Sequence, residues 1–227
     1  MEPVVAALVP TRGDRPDFVT HCRWLISRQT RKIDHVEFVD FPPASPEKDI
    51  TKRYRVGLSR LCDKADVIFL WEDDDWYSKE YVEKMLRGWE QENRPELFGF
   101  SKTCYYHICT MSRAEMSHPG RASAMNTLVR ADAVERIKFP EDSQPFFDIS
   151  LWKSLRGTAH DVYGWPCVGI KHGVGLSGGI GHRRDWLGYN IQDPEMDWLR
   201  SLMKEDADDR SLDFYKSIFN DAIGCSV

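Results

Sequence analysis

The apolar positions in the first third of the chain fall into alternating blocks of two kinds. Val4 to Val9 is a continuous apolar run stopped by Pro10, the pattern of a buried strand, and Thr11 to Pro16 forms the loop that leaves it. Phe18, Cys22, Leu25 and Ile26 then recur at helical spacing behind Asp17. Val36 to Val39 predicts a second strand ending at Asp40, and the proline-rich stretch from Phe41 to Pro46 is a loop that no helix accommodates. Ile50 to Asp63 predicts a second helix with Tyr54, Leu58, Leu61 and Cys62 inward, and Val67 to Trp71 predicts a third buried strand. Strand, helix, strand, helix, strand is the alternation of a mainly parallel sheet covered by helices.

The second part of the chain is more mixed. Ser78 to Glu92 predicts a helix capped by Ser78, with Tyr81, Val82, Met85, Leu86 and Trp89 on one face. Leu97 to Cys109 predicts strands, Met111 to Ala124 a polar surface loop around Pro119-Gly120, and Asn126 to Val129 a short strand. Helices are expected at Asp132 to Ile137 and Asp148 to Leu155, and Val162 to Ile170 is expected as a strand interrupted by Pro166. A glycine-dense segment from Gly173 to Gly181 ends in His182, and two helices, Asp193 to Lys204 and Ser211 to Phe219, close the chain. Nothing resembles a repeat or a long linker, so 227 residues are expected to form one domain.

The third strand discharges directly into Glu72-Asp73-Asp74-Asp75. Four consecutive acids cannot follow an apolar strand into a core, so they belong at its carboxyl edge, where open α/β sheets bind ligands. A bound divalent cation would offset their mutual repulsion. The net charge of −5, from 31 basic and 36 acidic residues, disfavours a protein that coats nucleic acid nonspecifically. Six cysteines, at positions 22, 62, 104, 109, 167 and 225, include no CxxC pair and suggest reduced thiols in a cytoplasmic protein, in the host cytoplasm if it is viral. The N-terminus lacks the basic region and apolar length of a signal peptide, and no segment is long enough to span a bilayer.

Strand-Pro-Thr-x-x-x-Arg at the N-terminus, Asp40 after the second strand, the Phe69 to Trp76 acidic block and Phe147-Asp148-Ile149-Ser150-Leu151-Trp152 together resemble the GT-A fold glycosyltransferases, particularly the large family 2. The resemblance covers roughly positions 3 to 155. It implies an α/β, Rossmann-like, mainly parallel sheet flanked by helices, with a smaller mixed acceptor-side portion. Residues 1–95 would be the nucleotide-sugar half, 96–190 the acceptor and catalytic half, and 191–227 C-terminal helices. It also implies a nucleoside-diphosphate sugar as donor and Mn²⁺ or Mg²⁺ as cofactor. The cation would bridge the two phosphates and act as a Lewis acid on the leaving diphosphate.

Carried over residue by residue, the resemblance makes Asp74 a metal ligand, Asp73 a ribose or water-mediated contact, and Asp75 the alternative ligand if the Asp-x-Asp register begins at Asp73. Thr11 and Arg12 match the loop that meets the nucleotide, Asp40 the carboxylate that receives the base N–H, and Arg53, ahead of Arg55, an arginine for the diphosphate. His182 would be a third metal ligand, with His172 as its substitute. Asp148 would be the general base of an inverting transfer. Here Phe41-Pro42-Pro43 departs from the family's usual Asp-x-Ser, and the glutamate that usually precedes the base is lost. Those departures leave the nucleotide open and keep a catalytically silent nucleotide-sugar-binding protein as the rival from another class.

The acceptor hydroxyl divides into two classes. His182-Arg183-Arg184, Arg113, Arg121 and Arg130, interleaved with Trp186, Tyr105 and Tyr106, would suit a phosphate backbone with aromatics stacking on an extruded base. The small soluble form with its glycine-rich segment running into His182-Arg183 resembles bacteriophage glycosyltransferases that modify hydroxymethylated DNA bases. The alternative acceptors are a glycan, a lipid-linked or a small-molecule hydroxyl, with no membrane contact in either case.

Overall fold

The computed structural model describes residues 2–41, 49–172, 189–204 and 210–224, with side chains through residue 218 in the last segment. The central sheet has six strands in the order β2-β1-β3-β8-β5-β9, where β1 is Val5–Pro10, β2 His35–Val39, β3 Val67–Leu70, β5 Leu97–Phe100, β8 Thr127–Arg130 and β9 Gly157–His160. Strands β2, β1 and β3 run parallel, β8 is antiparallel to both its neighbours, and β5 and β9 are again parallel.

The strands at the middle of this sheet are apolar throughout because both faces are covered. In β1 and β3, Val5, Ala7 and Val9 share a face with Val67, Phe69 and Trp71, while Ala6, Leu8, Ile68 and Leu70 point the other way. The first face packs against Phe18, Cys22 and Leu25 of helix α1 (Pro16–Ser27) and the apolar stripe of α3 (Tyr81–Gln91). The second packs against Tyr54, Leu58 and Leu61 of α2 (Ile50–Leu61) and Phe147 and Leu151 of α4 (Phe147–Ser154). Gly57 of α2 lies directly over Leu8: a Cβ there would sit 1.9 Å from the Leu8 Cδ1.

A second sheet of five strands, β11-β7-β6-β10-β4, stands beside the first, with β4 Trp76–Tyr77, β6 Lys102–His107, β7 Ser112–Ser117, β10 Cys167–Lys171 and β11 Ile191–Gln192. Helices α5 (Asp197–Met203) and α6 (Arg210–Gly224) follow. No described helix is long and apolar enough to cross a membrane, and the five cysteines among the described residues are free.

Three expectations need correction and one is refined. Residues 112–117 are a strand, not part of a surface loop: the segment pairs antiparallel with β6 from Lys102↔Ser117 to His107↔Ser112. Its inward positions are the small Ser112 and Ala114, so the two-residue period carries almost no hydrophobic signal. Helix α3 begins at Tyr81 rather than behind a Ser78 cap: Glu80 holds the N-cap position, and the Ser78 hydroxyl is buried with no hydrogen-bond partner, so it caps nothing. The strand expected over 162–170 is confined to β10, which begins at Cys167, after Pro166; the residues before it form a turn in which Gly164 takes φ +75°, and β9 lies ahead of that turn. The helix expected at 132–137 is present as a 3-10 helix over Ala131–Arg136.

Candidate active site

The acidic block is a tight reversal whose ends are clamped by aromatic rings. Trp71, leaving β3, stacks on Tyr77 of β4 at 3.9 Å between ring centroids, and the Tyr77 hydroxyl accepts a hydrogen bond from the Glu72 N–H at 2.9 Å. Strand β4 pairs antiparallel with β10. This pairing brings the end of β10, Lys171 and His172, against acids about a hundred residues earlier in the chain.

The four acids have different surroundings. Asp73 Oδ1 accepts from Arg15 Nη2 at 2.6 Å. Asp74 Oδ2 takes Arg15 Nη1 at 2.8 Å and lies 2.9 Å from His172 Nε2. Asp75 Oδ1 accepts the Ile170 N–H at 2.8 Å. Its Oδ2, like that of Asp73, is buried with no hydrogen-bond partner. One oxygen each from Glu72, Asp74 and Asp75 lie within 4.8 Å of one another.

Burial would raise the pKa of Asp74, but Arg15 and His172 outweigh it and hold this carboxyl well below the usual carboxylate range. Burial raises Asp75 and Glu72, against the attraction of Lys171, and it raises Asp73 with help from Asp74. Lys171 stays firmly protonated: burial opposes its charge, but Asp75, Glu72 and Asp74 more than compensate. Its Nζ also sits 5.0 Å from the Tyr105 ring centre.

Arg15, Glu72, Asp73, Asp74 and Lys171 line a cavity of about 470 Å³ at the carboxyl edge of β1 and β3. Asp148 at the start of α4, Arg121, His118 and Tyr105 line the same cavity. Asp148 Oδ2 is 2.7 Å from Arg121 Nη1. Burial raises the Asp148 pKa against the pull of Arg121. His118 Nε2 is buried with no hydrogen-bond partner, and burial and Arg121 lower the pKa of the ring to about 4, so it stands neutral.

Of the residues expected at the site, Thr11, Arg12, Arg53, Asp73, Asp74 and Asp148 line this cavity. Asp75 lies behind it, buried at 1% exposure. Asp40 follows β2 at the same sheet edge, exposed and outside the cavity wall. Arg12 turns back to Asp14 at 2.7 Å. Arg53 is fully engaged with the protein: Nε and Nη2 donate to Asp49 at 3.0 and 2.8 Å, and Nη1 donates to the carbonyls of Thr11 and Val39. It ties the loops after β1 and β2 together. His182 falls outside the described residues, whereas its alternative, His172, is on Asp74.

Sequence reasoning missed Lys171 and His118, and it used Arg15 only as part of a motif. Lys171 ends an apolar run, Cys167 to Ile170, just as Glu72 follows one. A charge at a strand end was therefore an available signal.

No family model matches the sequence, and no curated protein matches it. Among solved structures, the mannosyltransferase PcManGT from Pyrobaculum calidifontis, in complex with GDP-Man and Mn²⁺, is similar with a TM-score of 0.50 and 9% identity over 99% of this chain and 76% of that one. TarS from S. aureus aligns with a TM-score of 0.48 and 10% identity over 74% of this chain, which spans 37% of that chain. A197 from STIV aligns with a TM-score of 0.43 and 11% identity, covering 69% and 81%. At these identities the likeness to the mannosyltransferase is one of fold, and it matches the architecture expected from the sequence: a mainly parallel α/β sheet flanked by helices, with a smaller mixed sheet.

Proposed function

We propose that this chain is a glycosyltransferase that moves a sugar from a nucleoside-diphosphate sugar to an acceptor hydroxyl, with a divalent cation at the acidic turn and inversion at the sugar carbon. The observation that carries the reading is that the acidic turn and a further, largely buried carboxylate, Asp148, line one cavity. The shared fold of a mannosyltransferase supports it.

The residues fit a hard cation. Glu72, Asp74 and Asp75 offer carboxylate oxygens within 4.8 Å of one another, and the partnerless buried Oδ2 of Asp75 is the kind of atom a metal would satisfy. Oxygen donors of this kind suit Mg²⁺ or Mn²⁺. When bound, the cation supplies positive charge to the leaving diphosphate.

The chain's own residues do the rest. Thr11 and Arg12 offer polar contacts to the nucleotide side of the cavity, while Arg53 holds the loop that carries them. Asp148 takes the proton of the acceptor hydroxyl as its oxygen bonds to the anomeric carbon, and the carbon–oxygen bond to the diphosphate breaks with its electron pair leaving on phosphate. Burial makes Asp148 a stronger base than a free carboxylate, and Arg121 keeps it ionised enough to act.

Of the arginines expected to face DNA, Arg113, Arg121 and Arg130 each contact an acid, Glu115, Asp148 and Asp132. Arg183, Arg184 and Trp186 lie outside the described residues; on the pairing of the described arginines we assign a glycan, lipid-linked or small-molecule hydroxyl as the acceptor class.

The test is a panel of nucleotide sugars in Mn²⁺, read by thermal shift and by nucleoside-diphosphate release. One donor should stabilise the protein, and Asp148→Asn should keep that shift while losing about 100-fold or more in turnover. No shift with any donor would sink the donor reading. Donor binding without turnover in the wild type, across acceptors, would favour a silent binding protein.

A further inference from the structure

The acidic turn already holds a cation of its own. Arg15 precedes α1, and its guanidinium forks across the turn, with Nη2 on Asp73 at 2.6 Å and Nη1 on Asp74 at 2.8 Å. The same Nη1 lies 3.4 Å from His172 Nε2, and the guanidinium carbon sits 5.0 Å from the Phe18 ring centre. With its side chain 10% exposed, this is a packed position. Asp74, one of the three residues whose oxygens could share a cation, thus has its Oδ2 bonded to an arginine.

A guanidinium cannot shed its proton to make way for a metal. A dication entering between Glu72, Asp74 and Asp75 meets a fixed positive charge one hydrogen bond away from a ligand it needs. Either the dication fails to bind tightly or Arg15 gives up Asp74.

Resting on the metal reading above, we propose that Arg15 is a built-in competitor of the divalent cation. It holds Asp73 and Asp74 together when no metal is present, and it must release Asp74 for metal to bind. Metal affinity is then set by what it costs to move one side chain as well as by the ligand set. The rival reading is that Arg15 positions Asp74 for the metal. The two predict opposite signs for removal of the charge.

The experiment is a Mn²⁺ titration followed by the EPR signal of free Mn²⁺, with the metal alone and no nucleotide. It compares the wild type with Arg15→Met, Arg15→Gln and Arg15→Lys. Competition predicts that the Met and Gln variants, which lack the charge, bind Mn²⁺ about tenfold more tightly than the wild type, with Lys near the wild type. Competition also predicts that the melting temperature of Arg15→Met falls without metal, as Asp73 and Asp74 lose their partner, and rises more than that of the wild type on adding Mn²⁺. If Arg15→Met is too unstable to titrate, Arg15→Gln, which keeps a donor, decides alone. Equal or weaker Mn²⁺ binding by the uncharged variants, with the wild type binding, overturns the competition and leaves the metal site standing. Absence of Mn²⁺ binding in the wild type and in every variant removes the metal reading itself.

Discussion

His21 offers a prediction whose size can be worked from its surroundings. It lies on α1 at 4% exposure, stacked on Phe214 of α6 at 4.2 Å with an interplanar angle of 16°. Its Nε2 is buried with no hydrogen-bond partner. Burial, reinforced by Arg210 and Arg28, lowers its pKa from 6.5 to about 3. Because the folded value lies below the unfolded one, the unfolded chain takes the proton first. The stability tied to neutral His21 is therefore fully present above pH 6.5 and is lost as pH falls toward 3. Integrated from pH 8 to pH 5 with those two values, the loss is about 2 kcal/mol. His21→Phe keeps an aromatic ring between Trp24 and Phe214 and removes the titration. Urea unfolding of both proteins at pH 5, 6, 7 and 8 measures the difference directly, and the acids of the turn, common to both, cancel in the comparison. The variant should gain about 2 kcal/mol on the wild type between pH 8 and pH 5. Parallel pH profiles would refute the reasoning, because they would mean that His21 takes its proton as easily folded as unfolded.

Two further substitutions test the frame around the site. Gly57→Ala adds a methyl 1.9 Å from Leu8 Cδ1 and 3.0 Å from its Cδ2 and Cγ. The helix-propensity gain of about 1 kcal/mol is smaller than the overpacking cost of a closed core, so thermal unfolding should show a net loss of about 1–2 kcal/mol. A more stable variant would mean that Leu8 has room to turn. Arg53→Met strips Asp49 of its partner and leaves the Thr11 and Val39 carbonyls short of a donor, so the urea midpoint should report a loss of about 3 kcal/mol or more. A loss under about 1 kcal/mol would mean that these bonds do not hold the two loops together.

The sequence by itself determined the first three strands of the central sheet and the two helices between them. Strands β1, β2 and β3 and helices α1 and α2 were legible because each follows from a local period or a proline: a strand buried on both faces is an unbroken apolar run, and an amphipathic helix repeats every three to four residues. That acids end β3 at its carboxyl edge was legible for the same reason; that Asp73 and Asp75 stay buried there, at 4% and 1% exposure, was not. Tertiary structure alone decided what those acids face. The antiparallel pairing of β4 with β10 puts His172 and Lys171 on them, and a bond spanning 59 positions brings Arg15 to Asp74. Strand β7 was hidden because its buried positions are serine and alanine, and β9 because its edge position leaves its residues exposed or only partly buried. A residue's own window encodes its periodicity and polarity. It does not encode which distant strand completes its hydrogen bonds, and at this site that pairing chooses the counter-charges.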